Sequence, residues 1–213
     1  MKKGLSEVVF ILDASGSMSK ICNDTIGSFN TFIKDQKKVS GQCDFSLVLF
    51  NSGYDLVIDK KDIQEIRELD TSTYIPRDWT ALLDAIGKTI NKVGERLYCT
   101  KESERPEKVI FVILTDGEEN RSKEFTKQQI AEMIKHQTEK YNWKFLFLGA
   151  NQDSFLNSRE LNIQYKYTAN YFCDSLHVEK IYDSISTCVT SFRSGSDYDL
   201  SNDNQTVEST SNI

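Results

Sequence analysis

Residues 8–19 read VVFILDASGSMS: five apolar residues in a row, an aspartate, then three serines each separated by one residue. A strand with one face in solvent alternates apolar and polar side chains, whereas a strand covered on both faces is apolar throughout. The run at 8–12 therefore belongs inside a parallel sheet. The same signature recurs in VIFVIL at 109–114 and FLFL at 145–148. Central strands of this kind need helices on both sides, and the intervening segments supply them. Ile26, Phe29 and Ile33 recur at helical spacing, as do Leu82, Ile86, Ile90, Val93 and Leu97. Ile130, Met133, Ile134 and Tyr141 form a third stripe, and Val178, Ile181, Ile185, Val189 and Phe192 a fourth. Each reads as a core-facing helix side.

One connection departs from this pattern. FSLVLF at 45–50 and DLVID at 55–59 are separated only by NSGY, too short for a crossover helix, so the second strand runs antiparallel at an edge. A sixth strand is expected near IQYKY at 163–167. The fold expected is α/β: a doubly wound, mostly parallel six-stranded sheet with one antiparallel edge strand and helices on both faces, Rossmann-like in plan. The domain spans residues 5–193. Residues 194–213 are polar, with too few apolar side chains to offset ordering entropy, and are expected to be a disordered tail.

Composition narrows the function. With 213 residues, 38% hydrophobic and 27% charged, the chain has the make-up of one globular domain. It holds no run approaching the ~18 apolar residues of a membrane span. The N-terminal MKKGLSE leads into an apolar run that ends in aspartate, unlike a secretory leader, and a cytoplasmic location is expected. The formal net charge of −6 gives no electrostatic footing for nucleic acid. Five cysteines without a C-x-x-C pair read as free thiols, neither a disulfide framework nor a zinc finger. The two histidines, His136 and His177, fall within expected helices, which excludes a histidine-rich metal cluster.

The strand ends carry the chemistry. FILD places Asp13 at the carboxyl end of the first strand, and VILTD places Asp116 at the end of the fourth. In a doubly wound sheet, ligands bind beyond the carboxyl ends of the strands where strand order reverses. Two carboxylates meeting there repel unless a proton or cation lies between them. Ser15 and Ser17 add neutral oxygens beside Gly16, a donor set that suits a hard divalent ion such as magnesium better than zinc. Each piece alone also reads as a helix cap or turn. Their repetition on two apolar strands sets them apart.

At this point a resemblance becomes specific. DASGSMS resembles the D-x-S-x-S motif of the von Willebrand factor type A domain, which opens that family's metal-ion-dependent adhesion site. VIFVILTDGEEN resembles its fourth strand with the aspartate, and DWTALLDAI at 78–86 the segment carrying its threonine ligand. The resemblance spans residues 5–193. It implies that Asp13, Ser15 and Ser17, Thr80 and Asp116 form the ligand set for Mg2+, Mn2+ or Ca2+, some of them through water. It also implies that one metal position is left for an Asp or Glu carboxylate of a partner protein. Family members often place glycine before the threonine; this chain has Trp79, which reads either as packing under the loop or as a contact anchor for the partner. On the same rim stand Arg77, Asp78, Glu118, Glu119, Asn151, Gln152 and Asp153. Of these, Asp78, Glu118 and Asn151 join Trp79 as candidate partner contacts.

Two rival functions use the same residues. A magnesium-dependent phosphoryl-transfer enzyme with an aspartyl nucleophile needs a second acid near Asp13, where Ser15 stands, and a lysine on the strand-end loops to hold the phosphate; the sequence places neither. A serine hydrolase lacks its G-x-S-x-G elbow, and no nucleotide-binding G-x-x-x-x-G-K-[ST] loop is present. A purely structural ion would hold the loops without meeting a partner. The expected function is a non-enzymatic, metal-dependent protein-binding module, with neither nucleic acid nor membrane as a partner.

Overall fold

The computed structural model describes residues 1–150 and 154–204. Six strands, β1 (Lys2–Asp13), β2 (Gln42–Phe50), β3 (Tyr54–Asp62), β4 (Pro106–Thr115), β5 (Lys144–Gly149) and β6 (Thr168–Asn170), form one sheet in the order β3-β2-β1-β4-β5-β6. All neighbours are parallel except β2 and β3, which form the expected antiparallel edge. Strand order reverses between β1 and β4, whose register pairs Leu12 with Leu114, so Asp13 and Asp116 leave the sheet side by side.

The helices are α1 (Cys22–Lys38), α2 (Leu82–Cys99), α3 (Lys127–Tyr141), α4 (Ser154–Glu160) and α5 (Ser175–Ser194). Helices α1 and α5 pack together on one face, and α2, α3 and α4 follow one another on the other. This two-sided cover is why Val8 to Leu12 and Ile110 to Leu114 are almost wholly buried. Phe10 of β1 meets Phe29 and Phe32 of α1 edge-on and lies parallel to Tyr182 of α5. Glu7, midway along β1, is fully buried and takes both terminal nitrogens of Arg96 from α2. Local signals set the helix ends. Thr126 and Gln129 form a capping box at α3, Asp174 accepts the His177 amide to cap α5, and Gly195 closes α5 in the left-handed conformation.

The C-terminal end of α5 is fixed from within. Arg193 is buried, and its guanidinium donates to the Gln36 and Val39 carbonyls at the end of α1 and to the Gln36 side chain. Lys108 of β4 donates to the Arg193 carbonyl.

The structure moves or adds several elements. Residues 165–167 form a 3-10 turn, and the sixth strand is the three residues after it. Residues 63–81 are an irregular connection whose Ile63, Ile66, Leu69 and Tyr74 are nonetheless core residues. The stretch after Ser194, expected as a disordered tail, makes these contacts as far as Asn204: Leu200 is buried, Asp197 accepts from Lys166 and Tyr167, and Leu200–Asn204 is a 3-10 turn. Buried Leu200, Tyr198 packed against the core and the Asp197 contacts with Lys166 and Tyr167 anchor an otherwise polar segment. The rest of that stretch, 205–213, lies outside the described residues. Among those described, no helix is long and apolar enough to cross a membrane. All five cysteines are free.

Candidate metal centre

Asp13 ends β1 with its side chain fully buried. One carboxylate oxygen accepts the Ser15 amide at 2.7 Å and the other accepts the Thr115 hydroxyl at 2.6 Å. Beneath it, the buried Tyr74 donates its hydroxyl to the Asp13 carbonyl at 2.6 Å. The Ser15 and Ser17 hydroxyls are 3.1 Å apart, and Ser17 Oγ donates to Asp116 Oδ1 at 2.5 Å. A continuous chain of oxygens thus joins the first loop to the third, 99 residues apart in sequence.

The second loop is pressed against both. Gly16 N donates to the Asp78 carbonyl at 3.0 Å and Arg77 N to the Ala14 carbonyl at 2.8 Å. Asp78 adopts a positive φ of 66° to make this approach. Thr80, buried, exchanges hydrogen bonds with Asn120 of the third loop, main-chain amide to side-chain oxygen in one direction and amide to carbonyl in the other. Gly117 is tighter still: a Cβ there would sit 2.7 Å from Thr80 Oγ1 and 3.6 Å from Asp13 Oδ2. Only glycine lets the third loop lie over the threonine. Gly117→Ala is expected to push Thr80 aside and weaken divalent-ion binding about tenfold, the effect of an overpacking cost of ~1–3 kcal/mol falling on the site. Calorimetric titration, with circular dichroism to show the fold intact, checks this.

The second and third loops are also bolted together through the start of α2, which lacks a side-chain cap of its own. Glu119 accepts the Leu83 amide, and Ser122 Oγ accepts the Asp84 amide, so two of the unpaired N–H groups of the helix are met from the third loop. In return, the Asp84 carboxylate accepts the amides of Lys123, Glu124 and Phe125. Burial of Asp84 raises its pKa, but those three donors outweigh it and leave the carboxyl below its usual range. Glu119 is therefore a structural residue and not a solvated rim position.

Burial pushes the Asp13 carboxyl up from 3.8 to about 6, opposed by the Thr115 and Ser15 hydrogen bonds and reinforced by the charge of Asp116. Burial also raises Asp116, against the Ser17 and Cys173 contacts and the nearby Lys20. Lys20 is a cation that the sequence reading does not place at this rim. Its charge acts on Asp116. A desolvated, mutually repelling carboxylate pair ringed by hydroxyls suits a hard divalent cation. Among the described residues, no group of three or more His, Cys, Asp or Glu could hold a metal; the donors brought together here are two carboxylates and alcohol oxygens.

The structure brings Asp13, Ser15, Ser17, Thr80 and Asp116 to one end of the sheet. Trp79 is 62% exposed beside them, so it does not pack under the loop. Asp78 and Glu118 are exposed on the same rim, and Asn151 lies outside the described residues. Three further residues at the site escape the sequence reading. Thr115 is adjacent to Asp116 and could have been nominated by its place in VILTD. Tyr74 and Cys173 come from segments without a motif; Cys173 Sγ lies 3.8 Å from Asp116 Oδ2.

Residues 7–167 match the von Willebrand factor type A domain, and the chain belongs to that family. No curated protein matches the sequence. Several solved structures share the fold. The PilB minor pilin from Streptococcus sanguinis aligns with a TM-score of 0.62 at 12% identity, over 87% of this chain and 61% of the pilin chain. The manganese-loaded TRAP protein of Plasmodium vivax aligns with a TM-score of 0.58 at 16% identity, over 85% and 74%. Proximal thread matrix protein 1 from the mussel byssus, solved with a zinc-occupied MIDAS motif, aligns at 0.57 and 14%, over 88% and 46%. At these identities the likeness is one of fold, and this chain spans only part of each of those proteins.

Proposed function

We propose that this domain is a protein-binding module that holds a divalent cation on Asp13, Ser15, Ser17, Thr80 and Asp116 and takes up an Asp or Glu side chain of a partner protein. The observation that carries the reading is the Asp13–Asp116 pair: two partly or fully buried carboxylates at the switch point, linked through Thr115, Ser15 and Ser17, with Lys20 near Asp116. Relatives in fold solved with manganese and with zinc support a divalent ion in this position. The bound ion supplies an electrophile for a carboxylate. Hydroxyls contribute oxygens without adding negative charge, which keeps that electrophile strong.

The chain's own residues do the rest. Asp13 and Asp116 provide the anionic half of the site, and the Gly16–Asp78 and Gly117–Thr80 contacts hold three loops at fixed spacing. Trp79, exposed next to Thr80, offers a rigid apolar surface to the partner, with Asp78, Glu118 and Asn151 as further contacts. We place the module inside the cell and assign it no catalysis, with Mg2+, Mn2+ or Ca2+ as the hard-ion set that the oxygen donors fit. Ser15→Ala and Asp116→Ala are each expected to lower magnesium or manganese affinity at least about tenfold in calorimetry, while the circular dichroism spectrum stays native. Wild-type affinity in both variants removes the proposed site.

A further inference from the structure

The second loop and the β6–α5 turn flank the metal centre on opposite sides, and both carry exposed apolar side chains. Arg77 N donates to the Ala14 carbonyl just past β1, and Trp79 N to Ser52 Oγ in the β2–β3 turn at 3.2 Å, so the second loop lies over β1 and β2. Tyr171 N donates to the Gly149 carbonyl at the end of β5, and Cys173 Sγ stands 3.8 Å from Asp116 Oδ2. The β6–α5 turn therefore lies over β5 and reaches the site from the far side. In the strand order β3-β2-β1-β4-β5-β6, the centre at the ends of β1 and β4 falls between the two.

Of the nine large apolar side chains exposed among the described residues, four stand on these flanks: Ile75 and Trp79 on the second loop, Phe172 and Leu176 on the β6–α5 turn and the first turn of α5, each more than half exposed. Single apolar residues are ordinary on a surface, but two pairs on either side of one site form a patch suited to binding. Phe172 is held in place. Its ring meets the His177 ring edge-on with 5.0 Å between centroids, and His177 Nδ1 lies 2.7 Å from the Asp174 carboxylate. Exposed Asp78, Glu118 and Asp174 stand beside these groups against Arg77 and Lys20. That balance gives an anionic membrane no foothold, whereas a cation at the centre calls for a carboxylate.

We infer that the partner presents its carboxylate between two apolar side chains, one resting on Trp79 and Ile75 and the other on Phe172 and Leu176, a step that rests on the partner-binding reading above. Strand spacing sets the pattern. Neighbouring strands are about 4.8 Å apart, so flanks over β2 and β5, three intervals apart, are separated by roughly 14 Å. An extended chain rises about 3.3 Å per residue, and four steps cover about 13 Å. Residues two apart in an extended chain point the same way, so an apolar residue two before the acid and another two after it face the domain together with the carboxylate. The occupant is an extended protein segment of the form apolar-x-acid-x-apolar.

A displayed library of random peptides, panned on the immobilised full chain in manganese and eluted with a chelator, tests this. The eluted pool is expected to carry Asp or Glu with large apolar residues at both flanking positions. Phe172→Ser combined with Leu176→Ser should keep the acid and lose the apolar preference on one side, and Trp79→Ser should lose it on the other. Each change should weaken binding of a selected peptide about tenfold, with the circular dichroism spectrum unchanged. A pool rich in acid but without flanking preference overturns the apolar flanks and leaves the metal-dependent reading standing. A pool that the Phe172 and Leu176 changes leave unaltered does the same. Metal-dependent binding to phosphatidylcholine–phosphatidylserine vesicles that Phe172→Ser abolishes overturns the inference in favour of a membrane. A pool without acid, or equal recovery on Asp13→Ala, overturns both readings.

Discussion

Asp13→Asn is expected to leave the metal-free protein at least as stable as the wild type at pH 7.5 while abolishing its thermal stabilisation by magnesium or manganese. The two effects share one cause. In the fold the Asp13 carboxyl is raised from 3.8 to about 6, first by burial, so the folded state favours its protonated form. That preference stabilises the metal-free protein below about pH 4 and is lost as pH rises through about 6. A shift of roughly two units corresponds to about 3 kcal/mol of stability forgone at neutral pH. Asparagine carries no charge to desolvate, and its carbonyl oxygen still accepts the Ser15 amide, so the pH-dependent loss should vanish. It also removes the anion that an ion needs, and bound ion is what stabilises by mass action. Thermal melts at pH 5 and pH 7.5, with and without metal, separate the terms. In the wild type, metal affinity should fall about tenfold per pH unit below 6, because one proton must be displaced. A metal-free variant clearly less stable than the wild type at pH 7.5 would sink the argument.

Asp84→Ala carries the second large effect, and it acts at a distance from any ion. The substitution strips the acceptor from three main-chain amides, Lys123, Glu124 and Phe125, in one stroke. Hydrogen bonds to charged groups contribute about 1.5–3 kcal/mol each, but the three share one carboxylate and the freed loop regains water, so about 2–4 kcal/mol in all is expected. Urea denaturation at pH 7 measures it. Metal affinity should fall together with stability, because the loop that comes loose runs on from Asp116. Asp84→Asn keeps one oxygen for two of the amides and should recover part of both losses. Stability equal to wild type in the alanine variant would mean that the third loop holds its shape without α2.

The parallel core was legible because burial on both faces writes itself as uninterrupted apolar runs, as in 8–12 and 109–114. The hairpin was legible because four residues cannot house a crossover. Asp13, Ser15, Ser17 and Asp116 could be paired once those strands were neighbours. Elsewhere the sequence was silent for identifiable reasons. Residues 63–81 reach the core through widely spaced Ile66, Leu69 and Tyr74, with no period to detect. The sixth strand is three residues long, below the length at which alternation shows, and the aromatic stretch before it drew the assignment. Glu119 looked like one more loop acid because its partners are the amide of Leu83, 36 residues upstream, and groups of its own loop at Arg121 and Ser122. Cys173 meets Asp116 only through the fold, across 57 residues.

Helix α5 has unequal ends. At residue 193 it is clamped by a guanidinium sunk among the last carbonyls of α1 and by a lysine from β4, whereas its first turn is secured at the surface by the Asp174 cap and the Ser175–Asp24 bond. Between those ends Val178, Ile181, Ile185 and Val189 are buried, so the heavier polar anchorage of α5 lies at the end away from the site.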